Sequence, residues 1–272
     1  MELSMYTVYA LNQNFPSPVE ALKHFKKKGI DYADIVDTEL EEYPLHIYND
    51  FLQEANIKAH ALISMLDIAN FDDKVTNRNI EIVKDYIDQM EKLEMKLLML
   101  APEVKFAQCK SDMERMQNLF IESLDKIIDY ARGSNIKVTI ENQSVSTRAD
   151  SRMKDVRYIL DCLPELGFVL DCGNFFCINE DVQEAYKLLK DRVVHVHAKD
   201  WEFNEYGKFV RENIPRFDGV ELGTGLIPLR EIFKALKADG YTGKINLEIN
   251  AGKITLDMLD GSADFLRSEW NV

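Results

Sequence analysis

No stretch of this sequence reaches eighteen consecutive apolar residues, so no transmembrane helix is expected. The opening MELSMYTVYALNQNF lacks the basic stretch and apolar core of a secretory leader, which points to a cytoplasmic protein. Cysteine is scarce. Cys109, Cys162, Cys172 and Cys177 contain no CxxC pair, which argues against a disulfide framework or a thiolate zinc site. Positive charge is also in deficit: 33 Lys and Arg face 47 Asp and Glu, a formal net charge of −14. Such a field repels phosphate backbones and anionic lipid, so neither nucleic acid nor a membrane is the expected partner. No Gly-rich phosphate fingerprint follows the first apolar segment, and no low-complexity tract or linker divides the chain.

What the chain does contain is an alternation of short apolar runs and longer helical patterns. Strands are expected near 4–10, 32–36, 58–64, 96–100, 136–141, 168–171, 193–197 and 244–249. Between them, helices are expected near 18–28, 47–55, 76–94, 111–132, 151–161, 181–190, 228–239 and 256–268. Ile80, Val83, Ile87 and Met90 share one face at helical spacing, as do Met116, Phe120, Leu124 and Ile127. Ser17-Pro18 reads as a helix start, and Gly29 as a stop after the basic end HFKKK. Eight strand-then-helix units predict an α/β fold, a single-domain (β/α)8 TIM barrel over residues 1–272. A doubly wound sheet is the runner-up. Residues 198–227 form the longest irregular segment, of a length that usually carries function.

The period of two along the later strands sorts their faces. In KVTIE, Val138 and Ile140 oppose Thr139 and Glu141; in FVLD, Phe168 and Leu170 oppose Val169 and Asp171. In VVHVH, Val194 and Val196 oppose Val193, His195 and His197; in INLEI, Ile245, Leu247 and Ile249 oppose Asn246 and Glu248. One face of each strand is apolar enough to pack on helices. The other ends in Glu141, Asp171, His197 or Glu248, at the C-terminal strand ends where barrel enzymes place their chemistry. Any one of these is more often a loop brace than a ligand; four in phase on successive strands are harder to obtain by chance. Three carboxylates and an imidazole converging in a partly dry mouth repel one another and require a cation. One divalent metal ion is therefore expected: manganese first, with magnesium, cobalt or zinc also compatible with this donor set. His195 lies about 6–7 Å deeper than His197 by strand rise, in a layer expected to be structural.

The same strand ends carry a resemblance. TIENQ (139–143), VLDCGNF (169–175), HVHAKD (195–200) and NLEI (246–249) resemble motifs of the xylose isomerase-like sugar isomerase and epimerase superfamily. GVELGTGLIPLREIF (219–233) is similar to that family's segment leading into helix seven. The resemblance implies one catalytic divalent metal held by Glu141, Asp171, His197 and Glu248, with Glu141 and Glu248 also acting as acid and base. It implies an isomerase or epimerase of a sugar, sugar phosphate or polyol, working by proton abstraction beside a metal-chelated carbonyl through a cis-enediolate. The alternative on the same site is a lyase, a dehydratase of the inosose or dehydroshikimate type. Asn174 stands where many members carry a histidine that contacts substrate, and Thr224 where many carry an acid. Gln143 replaces the lysine of two-metal members, which favours a single ion.

Further candidates for substrate contact are Asn174, Lys199, Arg216 and His60. Lys199 is equally readable as a structural ion pair, Arg216 as a solvated loop charge, and Asp200 as a brace for the long loop. Gly223-Thr224-Gly225 offers backbone amides that suit a phosphate, a weak signal on its own. The expected partners are a small carbohydrate and, for oligomeric assembly, further copies of the chain.

Overall fold

Eight short segments rich in Leu, Ile, Val and Met pair in parallel, and the helical stretches between them cover the resulting sheet. The computed structural model describes residues 2–11, 15–102, 110–211 and 214–270. Its strands are β1 (Leu3–Tyr6), β2 (Ile30–Val36), β3 (Lys58–Ser64), β4 (Leu97–Leu100), β5 (Lys137–Glu141), β6 (Gly167–Asp171), β7 (Val193–Ala198), β8 (Trp201–Phe203), β9 (Phe209–Arg211), β10 (Ile214–Gly219) and β11 (Lys244–Leu247). The helices are α1 (Pro18–Lys27), α2 (Leu45–Glu54), α3 (Asp73–Lys92), α4 (Lys110–Ala131), α5 (Met153–Cys162), α6 (Val182–Leu189), α7 (Leu229–Ala238) and α8 (Leu256–Trp270). The barrel closes in the order β1-β11-β7-β6-β5-β4-β3-β2. This is the (β/α)8 architecture expected from the alternation.

Local chemistry explains the element ends. Ser17 Oγ accepts from Glu20 N at 3.3 Å and Pro18 opens α1. Gly29, at φ +83, lets the chain leave that helix in a conformation most side chains resist. Asp181 caps α6 by accepting from the amides of Gln183 and Glu184. The apolar faces meet as the periodicity requires: Ile80, Val83, Ile87 and Met90 of α3 are buried, as are Leu229, Ile232, Phe233 and Leu236 of α7. Among the described residues no helix is long and apolar enough to cross a membrane. Cys162, Cys172 and Cys177 are free thiols, and Cys109 lies outside the described residues.

Two expectations need correction. The first strand stops at Tyr6, and Thr7–Leu11 form a 3-10 turn. The turn brings the Tyr9 hydroxyl to Ile249, donating to its carbonyl at 3.1 Å and accepting from its amide at 2.7 Å. The long segment after β7 is not irregular either: β8, β10 and β9 form a three-stranded antiparallel sheet. It packs through Trp201, Phe209 and Phe217, whose ring centroids lie 5.0–5.7 Å apart.

Asp200 ties that sheet to the barrel. Its Oδ1 accepts from the amides of Trp201 and Ile227, each at 2.9 Å, and its Oδ2 accepts from Gly223 at 3.0 Å and Gly225 at 2.9 Å. The GxG segment is therefore a clamp around a carboxylate, and two of the amides once open to a phosphate are occupied. Glycine is required there. Gly223 sits at φ +83, and a Cβ on Gly225 would lie 2.4 Å from Asp200 Oδ1. Asp200→Asn turns an NH2 group toward one pair of donating amides. An expected loss of about 2–4 kcal/mol follows from the unsatisfied buried donors. Thermal or chemical unfolding of the variant measures it.

Candidate metal centre and the barrel mouth

The inner face of the barrel is polar at three depths. At the mouth, the ends of β5, β6 and β7 and the residue following β11 bring Glu141, Asp171, His197 and Glu248 together. One potential ligand atom from each lies within 4.8 Å of the others. Asp171 and His197 are buried, and the Glu248 side chain is 13% exposed toward the cavity.

Each carboxylate is held by neighbouring donors. Asp171 Oδ1 accepts from the amides of Gly173 at 2.8 Å and Asn174 at 2.9 Å. Asn142 grips the backbone of Asp171 on both sides, accepting from its amide at 2.9 Å and donating to its carbonyl at 3.1 Å. Gln143 donates to Glu141 Oε2 at 3.2 Å. His197 turns Nδ1 to the cluster, 2.5 Å from Glu141 Oε1, 3.3 Å from Glu248 Oε2 and 3.1 Å from the Tyr6 hydroxyl. Lys199 reaches in from the end of β7, with Nζ 2.6 Å from both Asp171 Oδ2 and Glu248 Oε1. Lys199 thus pairs with Asp171 Oδ2 and Glu248 Oε1, and His197 with Glu248 Oε2.

The electrostatics follow from burial against proximity. Burial favours a neutral His197, but Glu141 and Glu248 outweigh it and push the imidazole up to about 10. Burial raises Asp171 to about 7, with Glu248 and Glu141 adding to the rise and Lys199 opposing it. Burial would raise Glu248 too, but Lys199 and His197 overcome it and hold that carboxyl down at about 2. The residues fit a divalent ion on charge and donor type. Three carboxylates and one ammonium leave two negative charges when His197 is neutral, which a divalent ion cancels. The four potential ligand atoms, within 4.8 Å of one another, are close enough to share one ion. Oxygen donors with one imidazole suit manganese, magnesium, cobalt or zinc.

Beneath the mouth lies a layer built on Asp34. Its Oδ2 accepts from Ser4 Oγ at 3.0 Å and Asn246 Nδ2 at 2.5 Å, and pairs with His195 Nε2 at 2.9 Å. His195 is thus a hydrogen-bonded support below His197. The two rings lie 5.2 Å apart, edge to face. Deeper still, His60 packs against His195 at 5.2 Å and Tyr32 at 5.9 Å.

The structure distributes the expected substrate contacts unevenly. Asn174 lines the cavity, donating to Asn142 O at 2.9 Å and accepting from Lys199 at 3.2 Å. Lys199 lines it as well, but its ammonium is committed to two of the carboxylates. Arg216 is exposed on β10 and donates to Gly207 O at 3.1 Å, bracing the small sheet away from the cavity. His60 does not end its strand, which continues to Ser64; it sits three residues in and faces the barrel floor. Sequence reasoning missed Tyr6 and Asp34. Both stand in the inward phase of their strands, Tyr6 with Ser4 and Asp34 with Tyr32. Neither ends its expected strand, 4–10 or 32–36, so a rule that selects strand-end residues passes over both; only the inward phase marks them.

Comparison with known proteins adds the following. The model of the family described as xylose isomerase-like TIM barrel matches residues 22–269. An uncharacterized protein of Methanocaldococcus jannaschii is 27% identical over 149 residues, 54% of this chain; the match spans 57% of that relative, less than two thirds of its length. An inosose isomerase of Halalkalibacterium halodurans is 23% identical over 239 residues, 85% of this chain and 82% of that protein. The crystal structure of an IOLI protein with a bound zinc atom superposes with a TM-score of 0.81 at 20% identity, covering 100% of this chain and 98% of that one. A D-allulose 3-epimerase from Methylomonas sp. in complex with D-allulose gives 0.78 at 19% identity, covering 99% and 97%. At those identities the superpositions establish the shared fold.

The histidine column sets the acid limit of the fold. Burial, with the His195 ring beside it, pushes His60 down to about 3, and His195 is lowered chiefly by burial as well. A histidine depressed on folding binds its proton first in the unfolded chain, near pH 6.5, so stability is full above that value and falls as pH drops toward the folded pKa. His60 alone contributes a loss of about 2–3 kcal/mol between pH 7 and pH 4.5. His60→Phe keeps an aromatic ring and removes the proton site, so its stability declines less over the same interval in urea titrations.

Proposed function

The chain belongs to the xylose isomerase-like TIM barrel family, and from that membership we propose that it is a divalent-metal-dependent isomerase or epimerase of a sugar or polyol-derived ketone. The observation that carries this reading is the convergence of Glu141, Asp171, His197 and Glu248 from four strand ends within 4.8 Å. An inosose isomerase among the relatives and a D-allulose 3-epimerase among the structural neighbours support the chemistry by their own activities. Glu141, Asp171, His197 and Glu248 would hold the ion, with manganese the first choice and zinc supported by the zinc-bound IOLI structure. When bound, it supplies the Lewis acidity that polarises a ketone carbonyl and offsets the charge of an enediolate.

The chain's own residues then move the proton. Glu141 and Glu248 stand on strands three places apart around the barrel, so they approach a substrate from different sides. Glu248, held ionised by Lys199 and His197, is in the form that can accept a proton from the carbon beside the carbonyl. Return of a proton to the same carbon from the Glu141 side gives epimerisation; return to the former carbonyl carbon gives isomerisation. Lys199 keeps a positive charge beside Glu248 and Asp171 and so favours their ionised forms. Asn174 and Asn142 brace the loop that presents Asp171. Loss of a hydroxyl from the same enediolate is the dehydratase outcome, distinguished by a new conjugated chromophore.

Two measurements test the proposal. Glu141→Gln and Glu248→Gln each lower deuterium incorporation beside the ketose carbonyl, followed by NMR in D2O, by about 10²–10⁴-fold. Titration of manganese at pH 7 releases at least one proton, because His197 carries one up to about pH 10 without the ion and must lose it to ligate. Apparent affinity therefore falls as pH is lowered. A protein that takes up none of manganese, magnesium, cobalt or zinc stoichiometrically overturns the reading.

A further inference from the structure

The cavity above the metal cluster holds about 370 Å³ and its wall is divided by chemistry. The half built by β5, β6, β7 and β11 presents the charged and amide groups, Glu141, Gln143, Asn174, Lys199, Glu248 and Asn250, with Trp201, Phe209 and Ile249 among them. The half built by the first four strands presents Val8, Val36, Ile63, Met65, Met99 and Ala101. The division follows strand order, one half of the barrel circumference against the other.

Polar groups near the apolar half are already engaged. The Tyr6 hydroxyl meets His197 at 3.1 Å, and the Tyr9 hydroxyl is bound on both sides to Ile249. Asp37, just past β2, has Oδ2 accepting from Ser64 Oγ at 2.8 Å and Met65 N at 3.0 Å. No arginine lines the cavity among the described residues, and Lys199 is spent on two carboxylates. The amides of Gly223 and Gly225 donate to Asp200. Among the described residues a phosphate would meet a negative cluster and no free cation, and a distal hydroxyl facing Ile63 or Met99 would lose its water without gaining a partner.

Resting on the functional reading above, we propose that the substrate is an uncharged ketose deoxygenated at its distal end. Its carbonyl and adjacent hydroxyl face the β5-to-β11 half, and a terminal methyl or similar apolar group packs against Val8, Val36, Ile63, Met65 and Met99. Positioning at the reacting carbons comes from polar contacts, and selection at the far end from exclusion of an unpartnered hydroxyl.

The test uses the manganese-loaded protein and three matched ketoses: a 6-deoxyketohexose, its parent ketohexose and the parent's 6-phosphate. Deuterium incorporation by NMR gives kcat/KM, and calorimetry gives Kd for each sugar independently of turnover. The expected result is a preference on the order of 10–100-fold for the deoxy sugar over its parent, with the phosphate weakest. Met65→Gln and Val8→Thr, both at partly exposed positions and tolerant of change, shrink that preference at least severalfold by supplying a hydrogen-bonding partner. Equal or better handling of the parent ketose overturns the inference while leaving the isomerase reading intact, and preference for the phosphate does the same. If no ketose exchanges its proton, the functional reading fails, and the calorimetric ranking of the pair still decides the character of the wall.

Discussion

The structure depends on the burial of three carboxylates in one barrel mouth. Glu141, Asp171 and Glu248 cannot share that space as free anions, and the chain answers with two cations, Lys199 and a protonated His197. The balance is incomplete, since three carboxylates face two cations. On the proposed reading, a site held short of neutrality by its own side chains would take a divalent ion, with His197 giving up its proton to ligate it. Stability and chemistry are coupled here because the charges that strain the metal-free mouth are the ones that would ligate the ion and move the proton.

Around this centre the barrel is arranged in tiers. The Asp34 layer, with Ser4, His195 and Asn246, ties four strands together beneath the mouth cluster, and His60 closes the column below. Hydrogen bonds fix the rings that support His197, in the way outer partners orient metal ligands generally. Above the mouth, Asp200 anchors the GxG segment and the small antiparallel sheet, placing Trp201 and Phe209 in the cavity wall. One carboxylate thus organises the lid, and another organises the floor.

Most of the barrel was legible in the sequence because its signals are local. Period-two and period-3.6 patterns placed all eight barrel strands and eight helices close to their observed positions. The phase of KVTIE, FVLD, VVHVH and INLEI selected four residues that the fold brings together. Failures arose where long-range contacts override local pattern. The end of the first strand was read as extended, but the Tyr9–Ile249 bonds turn it. His60 was offered as a substrate contact, but it stands third in a strand that runs on to Ser64, so barrel closure buries it below the mouth against His195. The segment after β7 looked irregular, since strands as short as β8 and β9 carry little periodic signal and are held by cross-sheet aromatic packing.

The sequence by itself determined which residues alternate, which face of each strand is apolar and which side chains stand at the strand ends; covalent order and side-chain type suffice for that. Only the tertiary structure decided which of those groups meet. Lys199 was ambiguous between substrate contact and ion pair until closure of the barrel set it between Asp171 and Glu248. Gly223-Thr224-Gly225 suited a phosphate until Asp200 was found to occupy two of its amides. The division of the mouth into polar and apolar halves exists only once β1 meets β11. Each is a relation between distant parts of the chain, and burial makes their charges and hydrogen bonds interdependent.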